Sequence, residues 1–268
     1  MEVSAAGGGN SLQICILASG SSGNACYIES EHCRILVDAG LSGREISRRF
    51  DEAEIDIKRL DAIFLTHEHG DHIRGAGPLS RRLGIPVYLT EGTLERGGRT
   101  LGKLPTPVVI QAGEEVRVKD MRVETFTKCH DASDPLGLVC CSNGKRFGIA
   151  TDLGRSTRVV EEHLRNCQAL ALEFNHDPDM LEQGPYSLDL KKRIRSAEGH
   201  LSNEQAARLL GMVGHADLRH LVLAHLSEIN NNPEKAYITA VEALERLGLQ
   251  NVHVSVAMQH EPGTMIKI

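Results

Sequence analysis

Apolar residues recur along the chain with two different periods. Short runs rich in Ile, Leu, Val, Ala and Cys, bounded by glycine and serine turns, predict strands. They fall at residues 12–18, 25–29, 34–38, 62–65, 86–89, 108–110, 115–118, 121–126, 136–141, 147–150, 169–173, 221–224 and 252–258. Longer stretches with apolar positions three or four apart predict helices at residues 43–50, 75–83, 91–101, 157–165, 188–196, 203–212 and 233–247. Asn143-Gly144 reads as a hairpin turn, and Ser202 as a helix cap with Gln205 completing a capping box. Residues 19–24, Ser-Gly-Ser-Ser-Gly-Asn, are either only a tight connection or a loop lining a site.

Strands interleaved with amphipathic helices, without a regular βαβ rhythm, predict an α+β architecture of two mixed sheets packed face to face with helices outside. No linker, low-complexity stretch or internal repeat divides the chain. Residues 12–268 are therefore expected to form one domain behind a flexible tail at residues 1–11.

Composition narrows the function. A chain of 268 residues with 41% hydrophobic content can bury a large core. No run approaches the roughly 18 apolar residues of a membrane span, and the N-terminus has no signal-peptide pattern, so no membrane association and a cytoplasmic location are expected. The seven cysteines include no C-x-x-C pair and read as reduced core residues. Thirteen histidines against four tyrosines, five phenylalanines and no tryptophan leave imidazole for metals and few platforms for stacking single-stranded bases. A net charge of −6 limits the size of a nucleic-acid footprint without excluding one.

Chemistry concentrates at Leu65-Thr66-His67-Glu68-His69-Gly70-Asp71-His72, directly after an apolar run, where a buried strand passes into a loop. His67 and His69 alternate as strand-end neighbours, while the turn at Gly70 lets Asp71 and His72 address a second centre. A dinuclear site needs about three protein ligands per metal plus a bridging carboxylate, so further ligands must come from other strand ends. His130, Asp152 and His225 each follow a predicted strand. His163, His215 and His220 lie on or beside helices among charged residues and read as surface groups, and His32, His253 and His260 have no supporting context.

The T-H-E-H-G-D-H string resembles the H-x-H-x-D-H signature of the metallo-β-lactamase fold. His130, Asp152 in Thr151-Asp152-Leu153-Gly154, and His225 match that family's later motifs in order. Asp38 looks like its first motif, a buried aspartate behind the ligands, and the likeness spans roughly residues 12–258. The chain is more closely similar to the YycJ/WalJ family of bacterial DNA exonucleases. That likeness is carried by L-A-S-G-S-S-G-N-A at residues 17–25, E-F-N-H-D-P-D-M-L at 173–181, G-H-L-S-N at 199–203 and A-H-L-S-E-I-N-N-N-P at 224–233. Phe174 stands where that family usually has serine or alanine.

The resemblance implies a four-layer αβ/βα sandwich. It also implies His67, His69 and His130 on one metal, Asp71, His72 and His225 on another, and Asp152 bridging. Two divalent ions, zinc or manganese, would hold a bridging hydroxide that hydrolyses phosphodiester bonds, with Asp71 orienting it or accepting its proton.

His200, just ahead of a helix start that favours anions, is the candidate general acid, and the tRNase Z branch of the superfamily has a similar histidine. Ser202 and Asn203 belong to the same helix start and are candidate substrate contacts. His176 either lines the same cleft or is structural, and Lys192 and Arg195 belong to a run that is either a solvated face or a phosphate track. The leading expectation is a DNA exonuclease. The alternatives are a ribonuclease or tRNA-processing enzyme of the same fold, or a hydrolase of thioesters, lactones or cyclic phosphates.

Overall fold

The computed structural model describes residues 11–268, so the expected tail lies outside the described residues apart from Ser11. One seven-stranded sheet contains β1 (Gln13–Ala18), β2 (Ala25–Glu29), β3 (Arg34–Val37), β4 (Ala62–Phe64), β5 (Val87–Leu89), β6 (Pro107–Val109) and β14 (Ile266–Lys267), in the order β14-β1-β2-β3-β4-β5-β6. The other contains β7 (Glu115–Val118), β8 (Met121–Thr127), β9 (Leu136–Ser142), β10 (Lys145–Ala150), β11 (Ala169–Glu173), β12 (His220–Ala224) and β13 (His253–Val256), in sequential order. Both sheets are mixed. β1 to β3 run antiparallel and β3 to β6 parallel, while β7 to β10 run antiparallel and β10 to β13 parallel.

Side chains that alternate along a strand are divided between two cores, which produces the layers. On β1, Ile14 and Ile16 point between the sheets, whereas Cys15 and Leu17 point to the first helical layer. On β11, Ala169 and Ala171 point between the sheets, and Leu170 and Leu172 point to the second helical layer. Both faces of the strands are thus buried, consistent with their near-continuous apolar sequence. The first helical layer contains α1 (Gly43–Glu52), α2 (Gly70–Ile73), α3 (Ala76–Leu83) and α4 (Glu91–Leu101), packed through residues such as Phe50, Ile73, Leu79 and Leu101. The second contains α5 (Arg158–Leu164), α8 (Asn203–Val213) and α9 (Pro233–Arg246), packed through Leu164, Leu209 and Ala240. Two further helices, α6 (Pro178–Gln183) and α7 (Leu188–Arg195), connect β11 to α8. Among the described residues, no helix is long and apolar enough to cross a membrane.

The expected four-layer sandwich is the one observed, with α2, α6 and β14 as additions. α6 carries a start signal in sequence, Asp177 as N-cap and Pro178 in the first turn, but its six residues are too short for periodicity to reveal. Asn143 and Gly144 adopt φ of 49° and 76° between β9 and β10, the geometry of a two-residue hairpin turn. Gly97 inside α4 allows close packing on α2, because a Cβ there would lie 2.9 Å from Ile73 Cδ1.

Candidate metal centre

The site residues lie at the ends of strands from both sheets. Asp38 follows β3, residues 65–72 follow β4, His130 lies between β8 and β9, Asp152 follows β10, Glu173 ends β11, and His225 follows β12. β3 and β4 are parallel, as are β10, β11 and β12, so within each of these two groups the C-terminal ends lie at one edge. Three site residues bend sharply away from their strands: Asp38, Asp152 and His225 have φ of 59°, 52° and 55°. That left-handed conformation costs roughly 1–2 kcal/mol for a residue with a Cβ, so the surrounding packing must hold it.

In the 66–72 loop, His69 is the N-cap of α2 but makes no side-chain cap bond, which leaves its imidazole free for other partners. The helical turn brings Asp71 and His72 round beneath Asn24. Asn24 N donates to Asp71 O at 2.8 Å, and Ala39 N donates to His72 O at 2.7 Å. Gly40 permits this approach, since a Cβ there would lie 1.5 Å from Asp71 O. The serine-glycine turn therefore lines the site, and Ser19 Oγ also accepts from His225 N at 2.8 Å.

Two overlapping donor clusters result. His67, His69 and His130 form one, with His67 Nε2 3.1 Å and His130 Nε2 3.3 Å from His69 Nδ1. Asp71, His72 and His225 form the other, with His225 Nε2 3.8 Å and His72 Nε2 3.5 Å from Asp71 Oδ2. Asp152 lies between them: its Oδ2 is 3.2 Å from His72 Nε2, and its Oδ1 is 3.4 Å from His225 Nε2 and 3.8 Å from His130 Nε2. Asp152 Oδ2 and His225 Nε2 are buried without a hydrogen-bond partner. Unpaired buried donors and acceptors are costly, so atoms of this kind, converging with imidazole and carboxylate, fit a divalent cation.

Electrostatics point the same way. Burial pushes His67 well below the usual histidine range and His130 down to about 4, so both present neutral, ligand-ready rings. Burial also opposes charge on His72, but the Asp152 and Asp38 carboxylates outweigh it and raise the group to about 10. His225 is raised likewise, with Asp152, Asp71 and Glu173 outweighing burial. These carboxylates attract positive charge, and a cation would take the place of those protons. Asp38 orients the donors from behind. Its Oδ1 accepts from Thr66 N at 2.8 Å, and its Oδ2 lies 2.7 Å from His72 Nδ1, which leaves Nε2 of that ring turned to the cluster.

Glu173 is a candidate site residue that spacing along the chain does not single out. It is fully buried, and its Oε2 accepts from Leu153 N at 2.8 Å and Leu201 N at 3.0 Å. Its Oε1 lies 2.8 Å from His200 Nδ1 and 3.2 Å from His225 Nδ1. Burial favours its protonation, but the His200 and His225 rings outweigh that and hold it at about 2. Although Glu173 joins Asp152, His200 and His225 in a group with metal-ligand spacing, its oxygens are committed to these four partners. An ionisable residue closing an otherwise apolar strand is the signal that could have found it, as it does Asp152 and His225.

The remaining candidates separate by environment. His200 reaches the cluster, with its side chain 22% exposed and its ring stacked 5.3 Å from that of His225. His176 is buried, its Nδ1 has no partner, and its backbone bridges to Ser202. Ser202 Oγ caps α8 by accepting from Gln205 N, and the Asn203 amide pairs with Asn231 at 2.9 Å, so both side chains are committed to the fold. Lys192 is exposed, and Arg195 is bound to Glu182 at 2.7 Å. Phe174 is fully buried in the core cluster that also contains Leu172, Leu201 and Leu209.

A family model described as "Beta-lactamase superfamily domain" matches residues 33–226. The chain is 36% identical over 239 residues to the exodeoxyribonuclease YycJ of Bacillus anthracis, which covers 88% of this chain and 90% of that protein. It is 37% identical over 238 residues to the exodeoxyribonuclease WalJ of Streptococcus pneumoniae, covering 87% and 88% respectively. Among solved structures it is similar to the metallo-beta-lactamase fold protein YhfI of Bacillus subtilis, with a TM-score of 0.73, 17% identity and coverage of 97% of this chain and 100% of that one.

Proposed function

The chain belongs to the β-lactamase superfamily, and on that premise we propose that it is a metal-dependent exodeoxyribonuclease. The observation that carries this reading is the convergence of two histidine-rich clusters on Asp152, with the Glu173–His200 pair beside them. We assign His67, His69 and His130 to one divalent ion, Asp71, His72 and His225 to a second, and Asp152 to both, with zinc or manganese as the metal. The two exodeoxyribonuclease relatives support DNA as the substrate. The apolar core shared by both sheets supports a single domain over residues 12–268, and seven free cysteines support a reducing, cytoplasmic setting.

Bound divalent metal supplies Lewis acidity at the phosphoryl oxygens and a nucleophile at neutral pH. Asp71 keeps 22% side-chain exposure and accepts a proton from the attacking water. A carboxylate can only accept, so His200 Nδ1 donates to Glu173, which leaves Nε2 to protonate the departing sugar oxygen. The Glu173 carboxylate fixes the orientation of that ring through the Nδ1 bond. It also accepts from His225 Nδ1, so that the His225 Nε2 lone pair points to the cluster.

Purified protein with manganese or zinc should release nucleotides from labelled duplex DNA. Chelator, His69→Ala and Asp71→Ala should each abolish the release. Turnover of a thioester with no cleavage of DNA under any metal would overturn the assignment.

A further inference from the structure

A recess of about 280 Å³ opens beside His200, between α7 and the loops carrying Ser21 and Ser227. This is slightly below the roughly 300–1,000 Å³ of sites for drug-sized ligands, and suits a smaller planar group. One wall is apolar: Tyr186, Leu190 and Ile194 are half-buried, with Leu190 and Ile194 four residues apart on one face of α7. The chain has only four tyrosines and no tryptophan. Tyr27 is buried, Tyr88 stacks on Phe64, and Tyr237 lies on the outside of α9. Among the described residues, Tyr186 has no aromatic neighbour and no side-chain hydrogen bond.

The rest of the lining is largely polar. Asn175 is 5% exposed, and its Nδ2 donates to His225 O at 3.0 Å, which fixes the amide's orientation. Its Oδ1 is left without a hydrogen-bond partner among the described residues, in a residue that lines the recess. An unstacked ring and an oriented acceptor lining the same recess are the two elements needed to hold a heteroaromatic base by its face and its edge.

We propose that this recess seats the terminal nucleobase of the digested strand, with Tyr186 stacking on the base and Asn175 meeting its edge. The inference rests on the exonuclease reading. It accounts for action at an end rather than within a strand, because the recess adjoins His200, the acid assigned to the departing oxygen. Only a base that can leave the stack fits it.

The test is a cycle of two substrates and three proteins. Duplexes ending in a normal or an abasic residue are digested by the wild type, Tyr186→Ala and Tyr186→Phe. Base removal should lower kcat/KM on the order of ten-fold for the wild type and Tyr186→Phe, the effect of one stacked base. It should cost Tyr186→Ala no more than about two-fold. Equal losses for Tyr186→Ala on both ends, or a wild type indifferent to the base, overturn the proposal.

Calorimetric titration of the metal-loaded protein reads the recess without turnover. The wild type and Tyr186→Phe should prefer a deoxynucleoside monophosphate to deoxyribose 5-phosphate on the order of ten-fold, and Tyr186→Ala should lose that preference. Equal binding of both ligands by the wild type overturns the proposal. If no DNA is digested at all, the exonuclease reading fails, while the titration still decides whether the recess takes a base.

Discussion

Replacing Glu173 by glutamine tests the point where the positioning of the centre is most concentrated. Oε2 accepts from Leu153 N and Leu201 N at 2.8 and 3.0 Å, and Oε1 faces His200 Nδ1 and His225 Nδ1 at 2.8 and 3.2 Å. An amide of the same shape satisfies the two backbone donors only by turning its oxygen to them. The reverse orientation sets N–H against N–H and leaves buried donors unpaired, at about 1–3 kcal/mol each.

In the favoured orientation the amide nitrogen confronts both Nδ1 atoms, which must give up their protons and accept. The His225 proton then moves to Nε2, the atom 3.8 Å from Asp71 and 3.4 Å from Asp152, where it competes with a cation. Losing an orienting partner of this kind costs about 10–100-fold in metal affinity. His200 keeps a proton on Nε2 but loses the carboxylate that orients it. An equivalent carboxylate-to-amide change behind a catalytic histidine lowers kcat by up to about 10⁴-fold. Titration against a competing chelator measures the first effect, and steady-state digestion at saturating metal measures the second. Unchanged metal affinity together with unchanged kcat would falsify the positioning role.

Three other perturbations address separate parts of the molecule. Asp38→Asn removes the carboxylate that holds His72 Nδ1 at 2.7 Å and should weaken metal binding about 10–100-fold; wild-type affinity in a chelator competition would refute this. His200→Ala should slow hydrolysis of a natural phosphodiester by about 10²–10⁴-fold but spare a substrate whose leaving group needs no proton. Equal losses on both would remove His200 as the acid. At Glu124, burial resists ionisation, but the bonded Arg146 guanidinium outweighs it and holds the carboxyl below its ordinary value of 4.5. Its contribution to stability is complete above that value and is lost as pH falls through the lower folded value. Urea midpoints of the wild type and Glu124→Gln should therefore converge as the pH is lowered below about 4.5, and a gap that stays constant would refute the linkage.

Much of the fold was legible because its signals are local. Thirteen strands and seven helices are written in alternation, three-to-four spacing and turn residues, and the structure adds only short elements such as α2 and α6. The loop at residues 66–72 was legible because its donors are contiguous, and His130, Asp152 and His225 because each follows an apolar strand. Glu173 bears the same mark at the end of β11, but spacing along the chain does not distinguish a carboxylate that binds a cation from one that orients two imidazoles. Ser202 and Asn203 show the opposite limit. Their place at a helix start suggested an anion site, whereas the side chains cap α8 and pair with Asn231.

The sequence by itself determined the layers and the candidate donors, since these depend on periodicity and residue identity. Tertiary structure decided which atoms meet. The bond from His225 N to Ser19 Oγ spans 206 positions, and Asp152 reaches rings of three histidines from separate segments. The recess at Tyr186 is lined jointly by α7 and by residues as distant in the chain as Ser21, Asn175 and Ser227. Contacts of that range depend on how both sheets stack, and no spacing along the chain encodes them.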